Sequence, residues 1–241
     1  MKTNIKNSTL IIFAFLAIGI IPGCTSSTDA PSNTTTVNFT GETDGSLAGA
    51  AAWKSQIPLA GIPADSIEVT RVRFLLSAVK LHVEGNDTTN DKVMKAGPFV
   101  AEFIPGLSRT FSTIVIPSGT YEKIKLEIHK FPSSIDQNYL NDPVFTDFVT
   151  GERSTVIIEG KVWPTNISVP VNFIYKSQIT ANVESKFPGL ISLGVGTTNT
   201  IALQFSPMLA FKSTFVLDPR DSQNSNDIDK FLKSALKSIK K

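Results

Sequence analysis

The sequence predicts a mainly β protein, an antiparallel β-sandwich with one C-terminal amphipathic α-helix. Three observations carry that prediction. From about residue 37 onward, short stretches place apolar residues at alternate positions. Turns rich in Gly, Asn, Asp and Pro separate many of these stretches. A helical period shows only in the last segment of the chain. Many short strands parted by turn signals are the pattern of a sandwich. No internal repeat points to a propeller or a solenoid.

TVNFT, at 36–40, opens the series of β candidates. SIEVTRVRFLLSAVKLHVE, at 66–84, is longer. Val72, Phe74 and Leu76 share one phase of a strand, and Val79, Leu81 and Val83 share the other. The face therefore switches near Ser77, which predicts a β-bulge or a break there. PFVAEFI and FSTIVI follow as strand candidates. In YEKIKLEIH, at 121–129, Ile124, Leu126 and Ile128 lie on one face, while Lys123, Lys125, Glu127 and His129 lie on the other. Strict alternation of this kind is a half-buried strand. IPSGTY supplies the turn before it. TVIIEGKVW, SVPVNFIYKS, QITANVES and NTIALQF complete the β set.

In SNDIDKFLKSALKSIKK, residues Ile228, Phe231, Leu232, Ala235, Leu236 and Ile239 recur at the spacing of one helical face. This predicts a helix over 226–241. Ser225 or Asn226 can cap it, and Asp227 and Asp229 suit its positive end. Two roles fit the face that carries Phe231, Leu232, Leu236 and Ile239. It can cover an open edge or end of the sandwich. Alternatively, with its five lysines from 230 to 241, it can lie on anionic lipid. The packing role is the expectation.

The first nine residues carry Lys2 and Lys6 and no acid, and residues 10–21 are an apolar run of 12. A spanning helix needs about 20 apolar residues. A shorter run behind a basic start is the form of a secretory signal. The run ends in Ile21-Pro22-Gly23-Cys24, which holds the one cysteine of the chain. These residues resemble a bacterial lipobox. The resemblance implies a lipoprotein precursor, cut before Cys24 and lipidated on that thiol. The chain then divides into a signal peptide at 1–23, a lipidated cysteine and flexible tether at 24–36, and a β-sandwich domain at 37–241. Thr25 follows the cysteine. In lipoproteins of diderm bacteria, Asp at that place resembles an inner-membrane retention signal, so Thr25 implies the outer membrane. TSSTDAPSNTTT is too polar to bury a core and reads as a tether.

Charge excludes one class of partner. The chain carries 23 basic and 21 acidic residues, a formal +2. Lys2 and Lys6 leave with the signal, so 21 basic residues face 21 acidic ones and the mature chain is neutral. Neutral, interspersed charge has no electrostatic footprint for nucleic acid.

Few residues offer chemistry. His82 and His129 both fall on the polar phase of their strands, and solvated histidines are the plain reading. If the two strands were neighbours, the pair could hold a copper-type metal with Met94 or Met208. HExxH, CxxC and GxSxG motifs are all absent from the sequence. Asp136, Asp142 and Asp147 sit in one acidic stretch, and Asp218, Asp221, Asp227 and Asp229 in another. Neither follows EF-hand spacing, and capping and turn formation account for both. Trp53 and Trp163 could stack on sugar, but a core place is the commoner one.

VTRVRFLLSAVKLH and IPSGTYEKIKLEI together are similar to the paired-strand core of uncharacterised β-sandwich domains in bacterial envelope lipoproteins. They also resemble periplasmic proteins that partner the copper-chelating peptide methanobactin. The likeness rests on strand and turn residues and implies fold rather than ligands. The expected function is a cell-envelope lipoprotein that acts as a non-catalytic binding or scaffolding module. It needs no cofactor, and its partners are the membrane, through the lipid, and an unidentified protein or small ligand. A metal-binding periplasmic protein using His82 and His129 is the alternative, and an envelope hydrolase ranks third.

Overall fold

The alternating stretches become strands in the computed structural model, which describes residues 33–43, 63–83, 85, 93–131, 138–206, 210–211 and 216–240. In chain order these are β1 (Thr34–Thr43), β2 (Pro63–Leu76), β3 (Ala78–Val83), β4 (Val93–Ala96), β5 (Phe99–Phe103), β6 (Arg109–Pro117) and β7 (Gly119–Ile128). A one-turn helix, α1 (Thr146–Val149), precedes β8 (Val156–Pro164), β9 (Val171–Ser177), β10 (Ala181–Leu193) and β11 (Thr198–Phe205). The chain closes with β12 (Val216–Leu217), helix α2 (Ser225–Ala235) and β13 (Leu236–Lys240). Ile21 to Cys24, Trp53, Asp136 and Met208 lie outside the described residues. Among the described residues, no helix is long and apolar enough to cross a membrane.

Among the described residues, three sheets enclose the core. Their orders are β13–β11–β1–β6, β10–β7–β3–β4 and β12–β2–β8–β9, with β5 also paired to β2. Among the described strands every pairing is antiparallel except β1 with β11, which is parallel. Side chains tie the start of that exception. Thr35 Oγ1 donates to Thr197 O at 2.9 Å, and Asn199 Nδ2 donates to Thr35 Oγ1 at 2.9 Å.

The predicted break falls at Ser77. There the chain leaves the sheet of β2 and enters the sheet of β3. Ser77 N and Oγ both donate to Glu127 O, at 2.8 and 3.0 Å. The switch of face lets Val72, Phe74 and Leu76 from one sheet, and Val79 and Leu81 from the next, reach a single core. Phe74 anchors that core edge-on to Phe103 and Phe205, with ring centres 5.8 and 5.1 Å away.

The C-terminal helix is shorter than its apolar period predicts. It covers Ser225–Ala235, and residues 236–240 form β13 instead of completing a helix over 226–241. The physical reason is the edge of β11, whose backbone groups take up this segment with Phe205 opposite Leu236 and Ala202 opposite Ile239. Ile239 is thus a strand residue rather than part of a helix face; its side chain lies outside the described residues. Ile228, Leu232, Ala235 and Leu236 are buried in the main core, and Phe231 is half-buried. The described part of the apolar stripe therefore packs mainly inward. Capping also differs from expectation. Asn224 occupies the cap position without capping the helix, its Nδ2 donating to Asp218 O at 3.0 Å, and Asp221 instead caps the preceding 3-10 turn (Ser222–Asn224) by accepting from Gln223 N.

A second cluster occupies the other face of β2. Leu75, Val100 and Ile157 are covered there by Phe131, Phe148 and Val149, with Tyr139, Leu140 and Phe145 packed against them. Phe131 and Tyr139 stack at 4.4 Å.

Candidate functional site

The second face of β2 changes character along its length. Leu75 is roofed by the aromatic cluster, but Arg73 and Arg71, two and four residues earlier, face the same way. The neighbouring strands follow suit. Val100 of β5 and Ile157 of β8 are apolar, whereas Glu102 and Glu159 are charged. In register, Arg73 stands opposite Glu102 and Arg71 opposite Glu159. The hydrogen bonds run along the diagonals. Arg71 Nε donates to Glu102 Oε1 at 2.5 Å, and Arg73 Nη2 donates to Glu159 Oε1 at 3.0 Å. Arg109 of β6 donates to Glu102 Oε2, and Arg73 Nη1 donates to Asp147 Oδ2 of α1 at 2.7 Å.

A cavity of about 350 Å³ opens over this network. Arg71, Arg73, Arg109 and Glu102 line one side of it. Val100, Phe111, Pro143 and Val144 supply apolar wall. Its volume falls in the range of small-molecule sites, and so does the mixture of apolar wall with a few convergent polar groups. Arg73 is its most constrained member. The residue is 7% exposed, its guanidinium lies 5.6 Å from the centre of the Phe148 ring, and two carboxylates hold its Nη atoms. Its Nε is buried with no hydrogen-bond partner among the described residues. Leaving such a donor unpaired costs about 1–3 kcal/mol, so each instance needs a reason.

Gly41 sets the position of Glu102. A Cβ there would meet Glu102 O at 2.2 Å. The missing side chain lets β1 pass directly over β5 at the edge of the site.

A guanidinium stays protonated at any accessible pH, so it neutralises and orients charge rather than transferring protons. Three of them on one cavity suit binding better than acid–base chemistry.

The residues singled out in sequence lie elsewhere. His82 is half-buried in β3 opposite Lys123 of β7, and His129 follows the end of β7. Six residues of strand, roughly 20 Å at ~3.4 Å per residue, separate the two levels. Met94 stands opposite Leu81 and packs on the core, the reverse face from His82. The structure therefore does not bring His82, His129 and Met94 together. His129 Nε2 is 3.1 Å from Asn182 Oδ1. Among the described residues, no group of three or more His, Cys, Asp or Glu could hold a metal ion.

The acidic stretches are occupied by local contacts. Asp218 accepts from Arg220 N, Nε and Nη2 at 2.9, 3.0 and 2.6 Å, and this pairing raises the Arg220 pKa. Asp229 accepts from Tyr175 Oη at 2.6 Å. Asp142 accepts from Val144 N at 2.8 Å. Trp163 is half-buried in β8 rather than a core residue.

Sequence reasoning missed Arg71, Arg73 and Arg109 because a polar strand face reads as solvated. One signal was present. Only five of the 23 basic residues are arginine, and three of those five line this cavity. Comparison with known proteins gives no match to a family model, to a curated protein or to a solved structure.

Proposed function

We propose that this chain is a cell-envelope lipoprotein whose β domain is a non-catalytic binding module. In this reading residues 1–23 are a signal peptide and Cys24 carries the lipid. The segment after Cys24, up to the start of β1 at Thr34, tethers the domain to the membrane, on the outer-membrane side. The lipobox-like Ile21-Pro22-Gly23-Cys24 supports the anchor. The nine residues between Cys24 and Thr34, where β1 begins, reach at most ~30 Å at about 3.3 Å per residue. The binding role rests on one observation, the cavity lined by Arg71, Arg73 and Arg109. Lipid chains hold because each buried methylene contributes about 0.8 kcal/mol.

Two measurements test the reading. Cys24→Ser should move the protein from the membrane fraction to the soluble one; unchanged fractionation overturns the anchor. A thermal-shift panel of small anionic, neutral and cationic compounds should contain stabilisers whose effect disappears in Val144→Trp, which fills the cavity from its half-exposed wall. A panel with no such compound overturns the binding role.

A further inference from the structure

Resting on the binding-module reading, we propose that the cavity takes a small organic anion, a carboxylate carried on a compact apolar body. Four observations lead there. First, the wall presents three guanidinium groups; Glu102, Asp147 and Glu159 balance their charge, but among the described residues Arg109 engages only Nη1 and so keeps donors for an incoming anion. Second, both oxygens of the lining carboxylate already accept from guanidinium groups, Oε1 from Arg71 and Oε2 from Arg109, so its charge is engaged. Third, Arg73 is buried and braced from behind by Asp147 and Glu159, which fixes its guanidinium at the cavity wall. Groups held in place before binding lose little entropy when a ligand arrives. Fourth, apart from Thr110 the remaining wall is apolar, formed by Val100, Phe111, Pro143 and Val144. A bare inorganic ion would leave that wall without a partner.

Size narrows the class. With about 30 Å³ for each water-sized group, the cavity admits roughly ten to twelve non-hydrogen atoms. A carboxylate on one ring or one short branched chain fits, and a polymer does not. Charge-assisted bonds from guanidinium to carboxylate are the strong, geometrically selective kind. Glu102 works against the ligand. Its negative charge already occupies donors of Arg71 and Arg109, so it weakens anion binding and keeps the empty site neutralised.

Titration calorimetry on the full chain in detergent tests this with benzoate, benzamide and inorganic phosphate as probes. Benzoate should bind in the millimolar range or tighter. Benzamide, with the same ring and no charge, should bind at least tenfold more weakly, and phosphate more weakly than benzoate. Arg109→Gln should weaken benzoate at least tenfold; its side chain is 53% exposed, so the fold survives the change. Glu102→Gln should tighten benzoate severalfold, whereas a purely structural ion-pair network would give no such gain. Benzamide binding as tightly as benzoate, or Arg109→Gln leaving benzoate unchanged, overturns the anion proposal and leaves the binding module standing. Phosphate binding more tightly than benzoate overturns the apolar body. Absence of heat with all three overturns the proposal, and the broader panel with Val144→Trp then decides whether the cavity binds anything.

Discussion

Gly41→Ala is the sharpest perturbation of the fold beneath the site. The new Cβ would lie 2.2 Å from Glu102 O and 3.2 Å from its carbonyl carbon. Carbon and oxygen in contact normally stand about 3.3–3.6 Å apart, so β1 and β5 must separate by roughly 1 Å. Neither strand is free to move. Gly41 is paired with Leu203 on one side and Arg109 on the other, and β5 is laddered to β2 through Val72–Leu76. Overpacking of this kind costs about 1–3 kcal/mol, and the clash with backbone places it near the upper end. Alanine restricts the unfolded chain and returns about 0.4–1 kcal/mol. The net loss is about 2 kcal/mol. For a domain of this size that lowers Tm by about 4–8 °C, at about 2–4 °C per kcal/mol. Urea or thermal unfolding reads it directly. Gly189→Ala is the control, since nothing lies within 4 Å of its added Cβ. A Gly41→Ala protein as stable as the parent, or no less stable than Gly189→Ala, would refute the close approach of β1 to β5.

Two further outcomes follow from buried polar contacts. Tyr175 Oη donates to Asp229 Oδ1 at 2.6 Å from a nearly buried position, and burial together with the Asp229 charge pushes its pKa far above the ordinary value. Tyr175→Phe should cost about 1.5–3 kcal/mol at neutral pH, the usual worth of a bond to a charged group. Because the folded pKa is raised, the parent is fully stabilised below about pH 10, the unfolded value. It loses that stability as pH rises further, and the variant should show a flatter alkaline limb in urea midpoints. At Glu127, burial pushes the pKa up, but the Lys80 hydrogen bond and the charges of Lys80, Lys125 and Lys95 outweigh it and hold it below its ordinary value. A depressed folded pKa gives stability above about pH 4.3 that is lost as pH falls through the folded value. Lys80→Met should therefore destabilise at neutral pH and reduce the slope of Tm against pH on the acid side; an unchanged slope would remove Lys80 as the cause.

Much of the fold is legible in the chain because strands and helices impose different periods on the same choice of apolar residues. YEKIKLEIH forms β7 with Ile124, Leu126 and Ile128 inward, and the phase change at Ser77 marks a real passage between sheets. Period says nothing, however, about which backbone edge is left open. Leu236 and Ile239 fit a helix locally, yet β11 offers them a ladder and the helix stops at Ala235. The parallel pairing of β1 with β11 joins residues some 160 positions apart, beyond the reach of any local pattern.

The candidate site divides in the same way. Sequence alone determined that Arg71 and Arg73 share the polar phase of one strand, because alternation fixes side from spacing. It also carries the lipobox-like Ile21-Pro22-Gly23-Cys24. Only the tertiary structure decided that this polar phase meets Glu102, Glu159, Asp147 and Arg109, which come from four other elements. It also decided that His82 and His129 fall at different levels of the sheet. A side chain's direction is set within two residues of its neighbours, but its partners are set by strand register and by glycine-sized gaps such as Gly41. Those are properties of the packed sheets and not of any single segment.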